Sequence, residues 1–343
     1  MRLPAFEYLE PRDRQEALDY LARYSENASI LAGGSDLLVR MKQRLVRTSY
    51  VISLKHLKDL DGIRPDEDGR LCLGSNTPLV SIIRSPLLQG AYRGLTDAIR
   101  RIGAPPIQHY RGTIGGNLCL ETRCLYYNQS AFWRSGRPRC QKDGGEICYA
   151  EENSDRCRSA NVSDGACALM ALDAETVLES REGERSLPIE EFFTGKGESP
   201  FARSPDELVT TIRLPAPETA FGSSFRKLTY RSAIDFALVS ASAGVKVEAG
   251  RIARARIAVG GAGAAPLLLR EASEKLLGKS PEDGDAVAET AAQAGRHAAA
   301  FMVDNLGATL EYRQKMAAVL VRKAVQEALA RAENGNARGR RER

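Results

Sequence analysis

The sequence predicts an α+β protein rather than a doubly wound α/β sheet, and three observations predict it. A short apolar strand, Ser29 to Ala32, runs into Gly33-Gly34-Ser35-Asp36 and then a helix. A second glycine turn, Gly112-Thr113-Ile114-Gly115-Gly116-Asn117, follows Pro105-Pro106, which breaks the chain. Strand patterns at 223–230, 236–248 and 251–260 give way to Ala-rich helices from about 266 to 332, the order expected of a separate α+β unit.

Taken in order, residues 13–24 read as a helix with Ala17, Leu18, Leu21 and Tyr24 on one face. Leu37–Leu45 reads as the helix after the first glycine turn, and Tyr50–Leu54 as the next strand, a β-turn-α-β unit filling residues 1–60. A strand at Leu71–Asn76 and helices at 79–88 and 91–103 open a second unit, 61–215. It resumes after position 160 with the apolar run Cys167–Leu172 and a strand at Thr176–Glu179. Pro215-Ala216-Pro217 reads as the linker to a third unit, 216–332. Gly261-Ala262-Gly263-Ala264-Ala265-Pro266 reads as a strand-to-helix turn.

Composition narrows the function classes. With 343 residues and 43% hydrophobic content, the chain can bury real cores. It has no uninterrupted apolar run of 18 residues and opens on polar sequence after Met1-Arg2-Leu3-Pro4, so no membrane span or signal peptide is expected and the cytoplasm is the expected compartment. Of the net charge of +5, Arg338, Arg340, Arg341 and Arg343 against Glu342 contribute +3, in a tail (333–343) expected to be solvated and disordered. No basic face interleaved with aromatics marks the body of the chain, so nucleic acid is not an expected partner.

The glycine turns are candidate anion sites, because glycine lets a backbone approach a phosphate closely and a helix start offers unpaired N–H donors. Each has a plainer reading as a tight turn with a helix cap, Ser35 or Asp36 in the first. Neither matches the Rossmann or Walker fingerprint. Seven cysteines in the expected cytoplasmic setting suggest a metal or redox role more than disulfides. Four of them, Cys124, Cys140, Cys148 and Cys157, lie 16, 8 and 9 residues apart in a polar Gly- and Arg-rich stretch. They lack paired zinc knuckles. The Cys119–Cys124 pair begins the plant-type [2Fe–2S] spacing, which fails at Tyr127. Four thiolates on such an excursion can wrap a [4Fe–4S] cluster, though free buried cysteines or a zinc site are equally compatible with the spacing. Cys72, Cys119 and Cys167 read as buried small side chains. Tyr126, Tyr127, Phe132 and Trp133 could shield a cluster or pack locally.

The runs Ala32-Gly33-Gly34-Ser35-Asp36-Leu37, Arg111–Leu118 and Ser163-Asp164…Ala168-Leu169…Leu172-Asp173-Ala174 resemble the FAD-binding medium subunit of the xanthine dehydrogenase, or molybdenum hydroxylase, family. Lys227, Arg231, Asp235 and Phe236 match the same pattern. Asn117-Leu118-Cys119…Thr122-Arg123-Cys124…Tyr127–Ser130…Trp133–Gly136 and Ser154–Cys157 are similar to β subunits of the 4-hydroxybenzoyl-CoA reductase type, which carry an extra [4Fe–4S] cluster in this loop. Two departures are Ala166-Cys167, where a proline-containing run is usual, and the Arg-rich tail.

The resemblance implies a two-part FAD-binding domain of the molybdopterin dehydrogenase type, with the cluster insertion at about 122–160, followed by a small C-terminal α+β domain. It implies FAD held by Ala32, Gly33, Gly34, Ser35 and Asp36 together with Gly112, Thr113, Ile114, Gly115, Gly116 and Asn117. Asp164 is implied near the ribityl chain, Lys227 near the flavin, and Cys124, Cys140, Cys148 and Cys157 as cluster ligands, with Cys119 left out. It assigns no catalytic acid or base. The implied partners are a large molybdenum-cofactor subunit, a small subunit with two [2Fe–2S] clusters and a ferredoxin-like donor, in a dimer of heterotrimers. Alternatives are a dehydrogenase subunit that delivers electrons to NAD or a quinone, and a non-enzymatic assembly protein stapled by zinc.

Overall fold

Asp13 starts the first helix, α1 (Arg14–Tyr24), by accepting a hydrogen bond from the Glu16 amide, and Ala17, Leu18 and Leu21 are its buried stripe. In this computed structural model, which describes residues 2–341 and side chains through residue 334, that stripe covers a parallel sheet. Its strands are β1 (Glu7–Leu9), β2 (Ala28–Leu31) and β3 (Tyr50–Ser53), in the order β1-β3-β2. Helix α2 (Leu37–Lys42) carries the chain from β2 towards β3, as the β-turn-α-β pattern predicts. Leu54, Leu57, Leu60 and the distant Leu208 complete this small core. Strand β1 is too short to show alternation, and only its pairing with β3 defines it.

The second sheet is antiparallel, with β4 (Ile63–Pro65), β5 (Leu71–Gly74), β6 (Glu175–Ser180), β7 (Gly183–Pro188) and β8 (Leu208–Leu214) in the order β4-β5-β8-β6-β7. Its core is shared with α3 (Leu79–Arg84), α4 (Arg93–Arg100), α5 (Ile114–Leu118) and α7 (Asp164–Ala171). A fifth short helix, α6 (Ala131–Ser135), lies in the cysteine stretch. The sequence reading names no strand at 208–214, yet β8 is the middle strand. Its Leu208-Val209-Thr210 start is buried on both faces, so the alternation that betrays a half-exposed strand is absent. Pro105-Pro106 does not simply interrupt the chain. It opens a π-helical turn, Pro105–His109, leading directly into the second glycine loop.

The third sheet runs β12-β11-β10-β9 and is antiparallel, from β9 (Phe221–Leu228), β10 (Val239–Glu248), β11 (Arg251–Gly260) and β12 (Leu267–Leu268). Alternate residues Val239, Ala241, Ala243, Val245 and Val247 of β10 enter the core formed with α8 (Arg270–Glu274), α9 (Gly284–Ala299) and α10 (Leu310–Arg341). The opposite face meets α4 and α7, so this sheet is a wall common to both larger cores. Two expectations are corrected here. The Gly261–Pro266 turn joins two strands, β11 and β12, before the helix begins. The basic tail read as disordered from residue 333 instead continues α10 as helical backbone to Arg341; its side chains from 335 onward, and residues 342–343, lie outside the described residues.

Arg313, on the first turns of α10, is fully buried. Its guanidinium donates to the carbonyls of Leu238 (3.1 Å), Val303 (2.9 Å) and Gly261 (2.7 Å), joining the third sheet to the 303–306 loop. Its planar five-donor fork makes this set possible. Arg313→Met is expected to strand those carbonyls and cost about 3 kcal/mol or more in urea unfolding, while the exposed Lys315→Met, which breaks only a surface pair with Glu311, is expected to cost under about 1 kcal/mol.

Candidate functional site

The two glycine loops meet. A Cβ on Gly33 would lie 1.5 Å from the Arg111 carbonyl oxygen, so the first loop rests backbone to backbone on the second and no side chain is tolerated there. Gly34 adopts φ +73°, turning the chain from β2 into α2, whose first hydrogen bond runs from the Leu38 amide to the Gly34 carbonyl. The Asp36 side chain makes no cap. Its carboxylate pairs instead with Arg123, at the root of the cysteine stretch, and with Arg40 (3.8 Å).

The second loop is stitched to the segment before α3. The Ile114 amide donates to the Thr77 carbonyl, Gly115 to Ser75, and Leu79 to the Gly112 carbonyl. Thr113 caps α5 by accepting from the Gly116 amide. Asn117 fixes the far end, its Oδ1 accepting from Ser163 Oγ and from the Gly165 amide, both at 3.0 Å. This places the start of α7, and with it Asp164, beside the loops.

Asp164 and Lys227 are brought together from α7 and β9. Lys227 Nζ donates to Asp164 Oδ2 at 2.6 Å and to the carbonyls of Arg101 and Asp235, with both side chains about 97% buried. Burial pushes the Asp164 carboxyl up to about 6, even against the Lys227 ammonium. Its other oxygen, Oδ1, is buried without a hydrogen-bond partner. Asp235 closes a turn by accepting from the amides of Tyr230 and Arg231; Arg231 is exposed, so this part of the expected motif serves the turn.

The cysteine stretch forms a closed excursion. Arg123 and Ala160 exchange two backbone hydrogen bonds of 2.8 Å at its neck. Inside, Cys124, Cys140, Cys148 and Cys157 all line one cavity, walled also by Tyr126, Tyr127, Ile147 and Tyr149. Burial pushes the Cys124 thiol up to about 11 and raises that of Cys157, which donates to Ser159 Oγ at 3.2 Å. Among the described residues no three His, Cys, Asp or Glu side chains come close enough to hold a single metal ion. Cys119 is only partly buried against the second core, Cys167 is fully buried, and Cys72 sits in β5; none lines the cavity. Tyr126 and Tyr127 wall the cavity, whereas Phe132 is 89% exposed and Trp133 lies under Arg137.

Residues that sequence reasoning passed over hold this excursion in place. Lys142, 4% exposed, lies between Cys140 and Cys148 and donates to Glu121 Oε1 (2.9 Å), Thr122 Oγ1 (2.7 Å) and the Gly197 carbonyl. Burial works against the Glu121 carboxylate, but Lys142 and Arg40 outweigh it and hold the group below the usual range. Asn305, from the C-terminal unit, donates to the Arg158 carbonyl and accepts from the Leu125 amide. The one available signal was a lysine inside the cysteine spacing.

Comparison with known proteins shows the family. Residues 4–217 match the FAD binding domain in molybdopterin dehydrogenase, and residues 223–328 match the CO dehydrogenase flavoprotein C-terminal domain. The chain is 29% identical over 276 residues, 80% of each chain, to the nicotinate dehydrogenase FAD-subunit of Eubacterium barkeri. It is 28% identical over 330 residues to the carbon monoxide dehydrogenase medium chain of Afipia carboxidovorans, covering 96% of this chain and 99% of that one. The reconstituted CO dehydrogenase from Oligotropha carboxidovorans superposes with a TM-score of 0.77 at 26% identity, over 96% of this chain and 100% of that chain. The chain belongs to the FAD-binding medium subunits of the molybdenum hydroxylase and CO dehydrogenase family, and its fold is that family's two-part FAD-binding domain with a C-terminal domain. It is thus a flavoprotein subunit of an oxidoreductase. Among the described residues no helix is long and apolar enough to cross a membrane.

The residues present fit an FAD. The joined glycine loops bring no side chain between them, as a close approach to a phosphate needs, and the unpaired Asp164 Oδ1 is an acceptor suited to a polyol hydroxyl. Gly33→Ala is expected to force the loops apart and at least halve the flavin-to-protein ratio of purified material, read from its visible spectrum, while Gly284→Ala, in open space at the start of α9, leaves that ratio unchanged. Between its ordinary value of 3.8 and about 6 the folded chain holds a proton on Asp164 that the unfolded chain has released. That contribution to stability is present below the ordinary value and is lost as pH rises through 6, about 3 kcal/mol over the whole interval. In urea unfolding of flavin-stripped protein, wild type is expected to fall relative to Asp164→Asn by up to that amount between about pH 4 and pH 6.5.

Proposed function

We propose that this chain is the FAD- and [4Fe–4S]-carrying electron-transfer subunit of a molybdenum-containing aromatic acyl-CoA reductase of the 4-hydroxybenzoyl-CoA type. The observation that carries the reading is the gathering of Cys124, Cys140, Cys148 and Cys157 around one aromatic-walled cavity in a closed excursion. Four thiols lining one cavity are the ligand set a polynuclear iron–sulfur cluster takes, and their sequence lacks the paired knuckles of common zinc sites. When bound, the cluster supplies single electrons and the flavin exchanges one-electron for two-electron chemistry.

The chain's own part is to hold and insulate. The two glycine loops, Ala32 to Asp36 and Gly112 to Asn117, seat the flavin's diphosphate. Asp164 orients its polyol, and Lys227 fixes Asp164. Tyr126, Tyr127 and Tyr149 keep water from the cysteine cavity, and Asp36 with Arg123 ties that cavity to the first flavin loop. The substrate is reduced elsewhere, in a large molybdenum-cofactor subunit, with a small subunit bearing two [2Fe–2S] clusters between them and a ferredoxin-like protein as donor. A dimer of such heterotrimers is the expected assembly.

A second reading has its own support. Relatives carry the names nicotinate, carbon monoxide and caffeine dehydrogenase, which favours a subunit passing electrons outward to NAD or a quinone. Anaerobically purified complex separates the two readings. The reductase reading expects about eight irons and eight sulfides per heterotrimer, about four of each in this chain, a cubane EPR signal on reduction, and turnover with reduced viologen or ferredoxin and not with NADH. Cys140→Ser and Cys148→Ser are expected to lose the signal, and Cys167→Ser to keep it. Iron confined to the small subunit, with activity surviving both serine variants, would refute it.

A further inference from the structure

The cavity wall carries a feature the cysteines do not explain. Lys142 lines the same cavity as the four thiols, yet its ammonium is almost wholly removed from solvent. All three of its hydrogen bonds run to groups behind that lining: Glu121, Thr122 and the Gly197 carbonyl. Gly197 in turn packs on Cys157, since a Cβ there would lie 2.8 Å from the Cys157 sulfur. The charge does not end at Glu121. That carboxylate also accepts from Arg40 at 3.1 Å, Arg40 lies 3.8 Å from Asp36, and Asp36 pairs with Arg123. Three cations and two anions thus alternate from the cavity wall to the first glycine loop, all at least about three-quarters buried.

A surface ion pair needs no such arrangement and gains little from it. Burying a lysine is costly unless it is paired and hydrogen-bonded, as Lys142 is through Glu121, Thr122 and Gly197. A fixed positive charge in a low-dielectric wall acts strongly on any group nearby that gains an electron.

We propose that Lys142 is a positioning residue that raises the reduction potential of the cluster held by the four cysteines, and that Glu121, shared with Arg40 at the flavin loop, tempers that effect. The inference rests on the reading that the cavity holds a [4Fe–4S] cluster. Lys142 stabilises the reduced, more negative cluster. Glu121 opposes it, and because Glu121 is also held by Arg40 on α2, the setting is tied to the segment that seats the flavin.

The test uses the anaerobically purified complex as wild type, Lys142→Met, Lys142→Arg and Glu121→Gln. Iron, sulfide and flavin contents are measured first, and the cluster potential is then read by EPR-monitored redox titration. Lys142→Met is expected to raise the oxidised-to-reduced ratio at a fixed solution potential about tenfold or more, a shift of about 59 mV per tenfold towards negative values for one electron. Glu121→Gln is expected to move it the opposite way, and Lys142→Arg to stay near wild type. A purely structural role predicts no such reversal of sign. Fully loaded Lys142→Met and Glu121→Gln that keep the wild-type potential, or shift it in the same direction, would overturn the inference while leaving the cluster in place. Should Lys142→Met fail to load iron, Glu121→Gln decides: a positive shift supports the inference, and an unchanged or negative one overturns it. Wild-type complex with no iron in this chain would instead bring down the reading of the cavity, and this inference with it.

Discussion

The contact between Gly33 and the Arg111 carbonyl is the constraint on which the site depends. Two loops separated by some eighty residues of chain touch without side chains between them, and each is otherwise anchored to a different sheet. The first grows from the small parallel sheet; the second is hydrogen-bonded to the segment between β5 and α3, beside the larger antiparallel one. Their junction therefore fixes the two sheets as much as it shapes the loops. Any side chain at position 33 would have to displace backbone, the least yielding neighbour available.

From that junction the remaining parts follow outward. Asn117 ties the second loop to Ser163 and the Gly165 amide, which sets the start of α7 and presents Asp164 to Lys227. Asp36 reaches from the first loop to Arg123, the neck of the cysteine excursion. The excursion itself has little regular structure and a small helix, α6. It is held from three sides: by residues 44 and 45 through Arg134 and Tyr127, by Gly197 through Lys142, and by Asn305 of the C-terminal unit. An irregular loop of this length needs such external partners, because it cannot satisfy its own backbone groups.

Much of this was legible in the chain. Helix α1, strands β2 and β3 and the long strands β9 to β11 follow from periodicity, and the glycine loops announce themselves by composition and position. The four cysteines were separable from Cys167, which sits in an apolar run, from Cys72, which sits in a strand pattern, and from Cys119, which directly follows Gly-Gly-Asn-Leu. What was not legible depends on tertiary partners. Strand β8 is buried on both faces and shows no alternation, and β1 is defined by its neighbour alone. Asp36 occupies a capping position, yet its carboxylate is taken by two arginines remote in sequence or across a helix turn. Lys142 looked like one polar residue among many, and only the fold shows it buried on the wall of a cavity. Phe132 and Trp133, for which cluster shielding and local packing were both open, part ways: Phe132 faces solvent and Trp133 packs on Arg137.

The central claim is that one polypeptide seats a flavin on its joined glycine loops and an iron–sulfur cubane in the adjoining cysteine cavity. Diffraction from crystals of the anaerobically prepared complex, with data collected on both sides of the iron absorption edge, tests it most directly. The account predicts a compact four-iron anomalous peak bounded by Cys124, Cys140, Cys148 and Cys157, with flavin density against Gly33 and Gly116. A cavity without iron signal, or a lone zinc peak in its place, would contradict it.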